Sequence, residues 1–177
     1  MSVADDLAAR ACGIRLLTCD VDGVLTDGRI YIGDDGREMK AFSALDGVGI
    51  RMLAAAGVTI AWITGSNAPA VALRARSLGV TTLVQGAEDK LAPWERLRAA
   101  LDLAPAACAH IGDDLPDLPV LERCGLALTV PHAPAALLAR AHYVTRRDGG
   151  HGAVREACEL ILGAKASPAA RSVDIDG

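Results

Sequence analysis

The 177-residue chain has no surplus of positive charge: 18 lysines and arginines stand against 22 acids, a net charge of −4. A nucleic-acid binder carries a basic footprint, so that class is set aside. No stretch approaches the roughly 18 consecutive apolar residues of a membrane span. The opening "MSVADDLAARACGIRLL" has no apolar core of signal-peptide length. The five cysteines, at 12, 19, 108, 124 and 158, are odd in number and never spaced as CxxC. They read as buried thiols in a reducing cytosol. The expectation is a soluble cytoplasmic protein with neither nucleic acid nor membrane as partner. Lysine is scarce as well, with only Lys40, Lys90 and Lys165 among the 18 basic residues. Where arginine is the default, a lysine points to a need for a compact charge instead of a planar fork.

What is present reads as an ordinary soluble composition, 51% apolar and 23% charged. Its length suits one domain able to bury its own core. Short apolar runs at 15–20, 58–64, 81–85, 107–112, 126–130 and 142–146 alternate with helical patterns at 47–56, 67–78, 90–102, 116–124, 133–140 and 152–163. That alternation predicts an α/β fold, a doubly wound, mostly parallel Rossmann-like sheet covered on both faces. Residues 28–46 break the rhythm. Two short strand-like pieces around "GDDG" predict a β-hairpin inserted after strand one, able to lean over that strand's carboxyl end. The domain is expected over residues 1–163 with no large cap, and 164–177, rich in Ala and Ser, as a disordered tail.

In open α/β sheets, ligands bind beyond the carboxyl ends of the strands. That edge collects a defined set: Asp20 and Asp22 after strand one, then Thr64, Gly65 and Ser66 after strand two. Lys90 opens the helix after strand three, and "IGDDLPD" delivers Asp113, Asp114 and Asp117 after strand four. Two carboxylates 4 Å apart repel by roughly 4 kcal/mol at an effective dielectric near 20. Several of them beside a phosphate need cations. A set of oxygen donors without His or Cys suits Mg²⁺ better than zinc. Lys90 adds charge, and Thr64 with the neighbouring N–H groups can hold phosphate oxygens at a helix start. The set points to phosphoryl transfer. An EF-hand reading of "DVDG" fails, because Leu25 and Tyr31 occupy the positions where that loop needs Gly and Glu. His110, His142, Trp62 and Trp94 read as packing residues, and Cys19 as a small buried neighbour of the site.

"DVDGVLTDG", "ITG", Lys90 and "GDDLPD" resemble the four motifs of the haloacid dehalogenase superfamily. Within it, "DGRIYIGDDGREMKAFSALDGVGIRML" and "ARAHYVTRRDGGHGAVREACELIL" resemble the 3-deoxy-D-manno-octulosonate 8-phosphate phosphatase family. The resemblance implies a Mg²⁺-dependent phosphatase working through an aspartyl-phosphate, in lipopolysaccharide precursor synthesis. Asp20 would be the nucleophile, Asp22 the general acid and base, and Thr64 and Lys90 would complete the catalytic set. Asp20, the Asp22 main-chain carbonyl and Asp113 would hold the metal. Thr64, Gly65, Ser66, Arg74, Lys90 and His151 would contact a sugar-acid phosphate. The family also implies a homotetramer in which the hairpin helps assembly and residues 149–156 close a neighbour's site. Ser66 and His151 stand where many members have arginine. A nonulosonate 9-phosphate of sialic-acid type is therefore kept as an alternative substrate. A phospho-accepting receiver domain is the alternative from a different class, although its acid pair is adjacent on strand one and its acceptor ends a later strand.

Overall fold

The computed structural model describes residues 2–167. Six strands form one parallel sheet: β1 (Leu16–Cys19), β4 (Thr59–Ile63), β5 (Thr82–Val84), β6 (Cys108–Gly112), β7 (Leu126–Thr129) and β8 (Tyr143–Val144), in spatial order β5-β4-β1-β6-β7-β8. The chain winds outward from β1 through β4 to β5, then returns to β1's other side and winds outward again. The strand order therefore reverses beside β1, between the elements that carry Asp20 and Asp113. A crevice opens at such a switch point.

Alternation along the strands splits the core in two. Leu17, Cys19, Ile60, Trp62, Ala109 and Ile111 pack with residues of α1 (Val3–Cys12), α2 (Ala44–Ala55), α3 (Pro69–Leu78) and α7 (Ala153–Ala166). Leu16, Ala61, Ile63, Cys108 and Ala127 pack on the opposite face with α4 (Leu91–Ala100), α5 (Leu118–Leu121) and α6 (Ala135–Leu138). Strands covered on both faces have no solvent side, which is why they read as continuous apolar runs.

Every expected strand forms, and the differences fall at the helices. The sequence reading passed over α1, although Ser2 and Asp5 form a capping box at its start. Helix α2 begins at Ala44 instead of 47, because Ser43 accepts a hydrogen bond from the Leu45 N–H and starts the helix. The helix expected over 116–124 is a 3₁₀ turn, Leu115–Asp117, followed by the single turn of α5. Pro116 and Pro119 lack the N–H a continuous helix would use there. Helix α7 runs to Ala166, three residues past the expected 163. Of the tail expected to be disordered, residues 168–177 lie outside the described residues.

The hairpin consists of β2 (Tyr31–Ile32) and β3 (Glu38–Met39), paired antiparallel as Tyr31 with Met39 and Ile32 with Glu38. Its tip is closed by Gly33 N–H donating to the Arg37 carbonyl at 2.9 Å. Ile30, Ile32 and Met39 are 71%, 71% and 61% exposed, so the hairpin rests on the domain by few of its own apolar side chains. Among the described residues no helix is long and apolar enough to cross a membrane.

Candidate active site

Asp20 continues β1 by one residue, its N–H donating to the Ile111 carbonyl at 3.0 Å. The sheet thus holds the nucleophile candidate in place through its main chain. The next residues turn sharply, with the N–H groups of Leu25 and Thr26 both donating to the Val21 carbonyl at 2.9 and 3.0 Å. Gly23 sits in this turn at φ +88°, and a Cβ there would lie 2.0 Å from Asp113 Oδ2. Only glycine lets the turn and the late aspartate approach so closely.

Asp20, Asp113 and Asp117 bring one oxygen each within 4.8 Å of one another. Lys90, the N-cap residue of α4, places Nζ 2.9 Å from Asp20 Oδ1 and 2.7 Å from Asp117 Oδ1. The lysine is 4% exposed. Burial alone would lower its pKa, but the charges of Asp20 and Asp117 outweigh burial and hold it above the usual lysine value. Asp20 is raised by burial and by the Asp117 charge, against the pull of Lys90. Asp117 goes the other way: burial would raise it, but bonds from His110 and Lys90 hold it below the usual carboxylate value.

Asp113 is the odd member. Burial and the neighbouring Asp20 push it to about 8, and its Oδ1 is buried with no hydrogen-bond partner. An orphaned oxygen on a member of an acidic cluster is what a hard cation would satisfy. The donors are all oxygens, so the site fits Mg²⁺ and offers no soft ligand. Asp22 contributes differently. Its side chain turns to Lys40 of the hairpin, with Nζ 2.5 Å from Asp22 Oδ1, and is not in the close trio.

The phosphate-side residues follow β4. Thr64 is 1% exposed, and its Oγ1 accepts from Ser66 N–H at 3.1 Å, leaving its own hydroxyl proton to donate. Ser66 Oγ in turn accepts from Ala68 N–H, shaping the approach to α3. Asp20, Asp22, Thr64, Gly65, Ser66, Lys90 and Asp113 line one cavity of about 270 Å³. His151 does not line it. It lines an adjoining cavity of about 420 Å³ with Arg29 and His132, and Asp113 forms the shared wall. Arg74 lines neither. Its guanidinium lies 5.9 Å from the centre of the Phe42 ring and donates to the Ser43 carbonyl at 3.2 Å. Of residues 149–156, expected to close a neighbour's site, Gly149 and Gly150 lie against this chain's own loop after β1. Gly150 N–H donates to the Val24 carbonyl at 3.0 Å, and a Cβ on Gly149 would lie 1.8 Å from the Gly23 oxygen.

Three functional contacts escaped the sequence reading. His110, read as a packing residue, is fully buried between Thr18 Oγ1 at 2.8 Å and Asp117 Oδ1 at 2.9 Å. Thr18 and His110 are register partners on β1 and β6 and point to one face. The pairing was invisible without the strand order. Asp117, which the sequence sets at the sheet edge without a role, is the anchor joining His110 to Lys90. Lys40 was noted only as one of three lysines, and that scarcity was the available signal.

Residues 63–156 match the family described as haloacid dehalogenase-like hydrolase. The chain is 52% identical over 160 residues to the 3-deoxy-D-manno-octulosonate 8-phosphate phosphatase KdsC of Yersinia pestis, covering 90% of this chain and 86% of that one. The protein of the same name from Escherichia coli K12 is 49% identical, with 90% and 85% covered. The Yersinia crystal structure superposes with a TM-score of 0.89, at 52% identity, over 91% of this chain and 87% of that one. A Moraxella catarrhalis phosphatase of that name, in complex with magnesium, phosphate and KDO, superposes with a TM-score of 0.90. It is 40% identical, with 96% and 97% covered.

Proposed function

The chain belongs to the haloacid dehalogenase-like hydrolases and, among them, to the 3-deoxy-D-manno-octulosonate 8-phosphate phosphatases. From that premise we propose that it hydrolyses 3-deoxy-D-manno-octulosonate 8-phosphate to the free sugar acid and phosphate, in lipopolysaccharide precursor synthesis. The observation that carries the chemistry is the meeting of Asp20, Asp113 and Lys90 at the switch point of the sheet.

An Asp20 carboxylate oxygen attacks phosphorus, forming a P–O bond as the bond to the sugar oxygen breaks. Asp22 gives its proton to the departing alkoxide. Water then attacks the aspartyl-phosphate, Asp22 takes the water proton, and Asp20 is released with phosphate. Splitting a very slow reaction into two steps through a covalent intermediate is the gain. Lys90 faces Asp20 and the transferring phosphoryl group as a fixed cation, and the His110–Asp117 pair holds it there. Thr64, Gly65 and Ser66 line the phosphate side, with the Ser66 N–H held by Thr64 Oγ1. Asp20, the Asp22 carbonyl and Asp113 would hold Mg²⁺, which when bound would offset the negative charge of the acids and the phosphate.

The sugar-acid end is open to a further test, because Ser66 and not an arginine lines the cavity. The deciding assay is phosphate release from a panel of sugar phosphates that includes a nonulosonate 9-phosphate, with Mg²⁺ and with chelator. The expected result is highest kcat/KM on the octulosonate 8-phosphate, lost on chelation and lost in Asp20→Asn. Full turnover in Asp20→Asn would end the covalent route. A higher kcat/KM on the 9-phosphate would reassign the substrate. The same family membership supports a cytoplasmic homotetramer in which the exposed hairpin takes part in assembly.

A further inference from the structure

Lysine is rare in this chain, and each of the three has a specific partner. Lys90 joins Asp20 to Asp117, and Lys165 donates to the Cys12 carbonyl at 2.9 Å. Lys40 is the one that touches a site residue and yet is left unused by the mechanism. It follows β3, in a hairpin whose neighbouring side chains are exposed, yet its own side chain is only 3% exposed. Nζ lies 2.5 Å from Asp22 Oδ1 and 2.6 Å from Glu38 Oε1. Removing an ammonium from water is costly unless charged partners replace the hydration. Two carboxylates on one lysine do so, at the short distances of charge-assisted bonds.

The geometry around Asp22 is selective. Its contacts with Lys40 and with Thr26 Oγ1, the latter at 3.4 Å, both fall on Oδ1. Among the described residues none bonds Oδ2, and Asp22 lines the cavity. Asp22 sits inside the tight turn that follows β1 and is not fixed by the sheet, unlike Asp20. Without a second point of attachment its carboxylate would be free to rotate.

We propose that Lys40 is a positioning residue for the leaving-group step. It clamps Asp22 by Oδ1 so that Oδ2 meets the departing oxygen, and Glu38 steadies the clamp from the hairpin side. This rests on the phosphatase reading above and gives the hairpin a catalytic duty besides any part in assembly. The proton passes from Asp22 Oδ2 to the sugar alkoxide and is recovered there from water, while Lys40 keeps its own protons throughout. Orientation of this kind affects steps that need a proton and spares those that do not.

The test is Lys40→Met, followed by first-turnover release of each leaving group from the octulosonate 8-phosphate and from p-nitrophenyl phosphate, in saturating Mg²⁺. The p-nitrophenolate ion departs without needing a proton. The sugar release rate should fall about tenfold or more while p-nitrophenol release stays within about threefold, with KM for the sugar phosphate little changed. Equal loss on both substrates, or no loss on either, overturns the clamp. If Lys40→Met lowers the thermal midpoint enough to unfold the protein, Glu38→Gln serves in its place. It loosens the clamp and keeps the ammonium, and it should show the same selectivity at smaller size. A non-selective effect of Glu38→Gln also overturns the clamp. A wild type inert on both phosphates would sink the phosphatase reading itself, which separates the two failures.

Discussion

Asp113 Oδ1 is, among the described residues, the one buried side-chain atom of the site without a hydrogen-bond partner. Burial and the charge of Asp20 raise this carboxyl to about 8, so the metal-free protein favours its protonated form. A carboxyl raised in the folded state stabilises fully below the ordinary carboxylate range, and that contribution is lost as pH climbs through the folded value. Asp20 is shifted in the same direction, whereas the lowered Asp117 acts only below the ordinary carboxylate range. The thermal midpoint of the chelated protein should therefore fall as pH rises from the carboxylate range through about 8. Saturating Mg²⁺ should abolish the fall, because a cation binds the deprotonated form, and the shift it produces should grow with pH. Scanning calorimetry with and without chelator reads both effects. A pH-independent midpoint in chelator would mean that Asp113 is not held against Asp20 as described. At this scale the sequence already displayed Asp20, Asp113 and Lys90, since each ends a strand or opens a helix. His110 was hidden because its importance comes from the residue opposite it on β1, not from its own surroundings in the chain.

The elements meet at two loops. The turn after β1 carries Asp22 and is backed by residues 149–152, which precede α7, with Gly149 pressed against the Gly23 carbonyl. Helix α7 in turn gives the Arg155 N–H to the buried Asp46 of α2 at 2.8 Å. The C-terminal helix and the catalytic turn are thereby parts of one packed assembly. Gly149→Ala would put a methyl where the backbone of the turn already lies. It should cost about 1–3 kcal/mol, as overpacking at a rigid contact does, and should lower kcat as the turn shifts Asp22. Denaturant midpoint and steady-state kinetics check this, and an unchanged kcat would detach the 149–152 loop from the site. The pattern of elements was largely readable beforehand, because strands buried on two faces are continuously apolar and the helices between them are amphipathic. The misjudged ends lie where caps and prolines act, as at Ser2, Ser43, Pro116 and Pro119.

For the whole molecule, large apolar side chains are left exposed on the hairpin, at Ile30, Ile32 and Met39, and on α2, at Leu45, Val48 and Met52, the last three at 49%, 46% and 42%. Burying such side chains would favour association. The proposed homotetramer predicts a defined oligomer in sedimentation velocity. Ile32→Glu combined with Met39→Glu should shift it to smaller species, since two carboxylates would have to be buried at the interface. A wild-type monomer at micromolar concentration would end this reading. Because Lys40 lies in the same hairpin, the double variant should also show whether assembly steadies the Asp22 clamp.

Read by itself, the sequence determined which chemistry was possible: carboxylates, a lysine and a threonine at successive strand ends, with no soft metal ligand among them. Those assignments are local, because a residue's place at the end of a strand follows from the apolar run before it. Only the tertiary structure decided which of these groups touch. The return of β6 to the side of β1 sets Asp113 against Asp20, pairs Thr18 with His110 and brings Asp117 onto Lys90. The fold of the hairpin back across the turn brings Lys40 to Asp22. Contacts such as that of Thr18 with His110, 92 residues apart, depend on strand order and loop path, and neither is written in the spacing of residues along the chain.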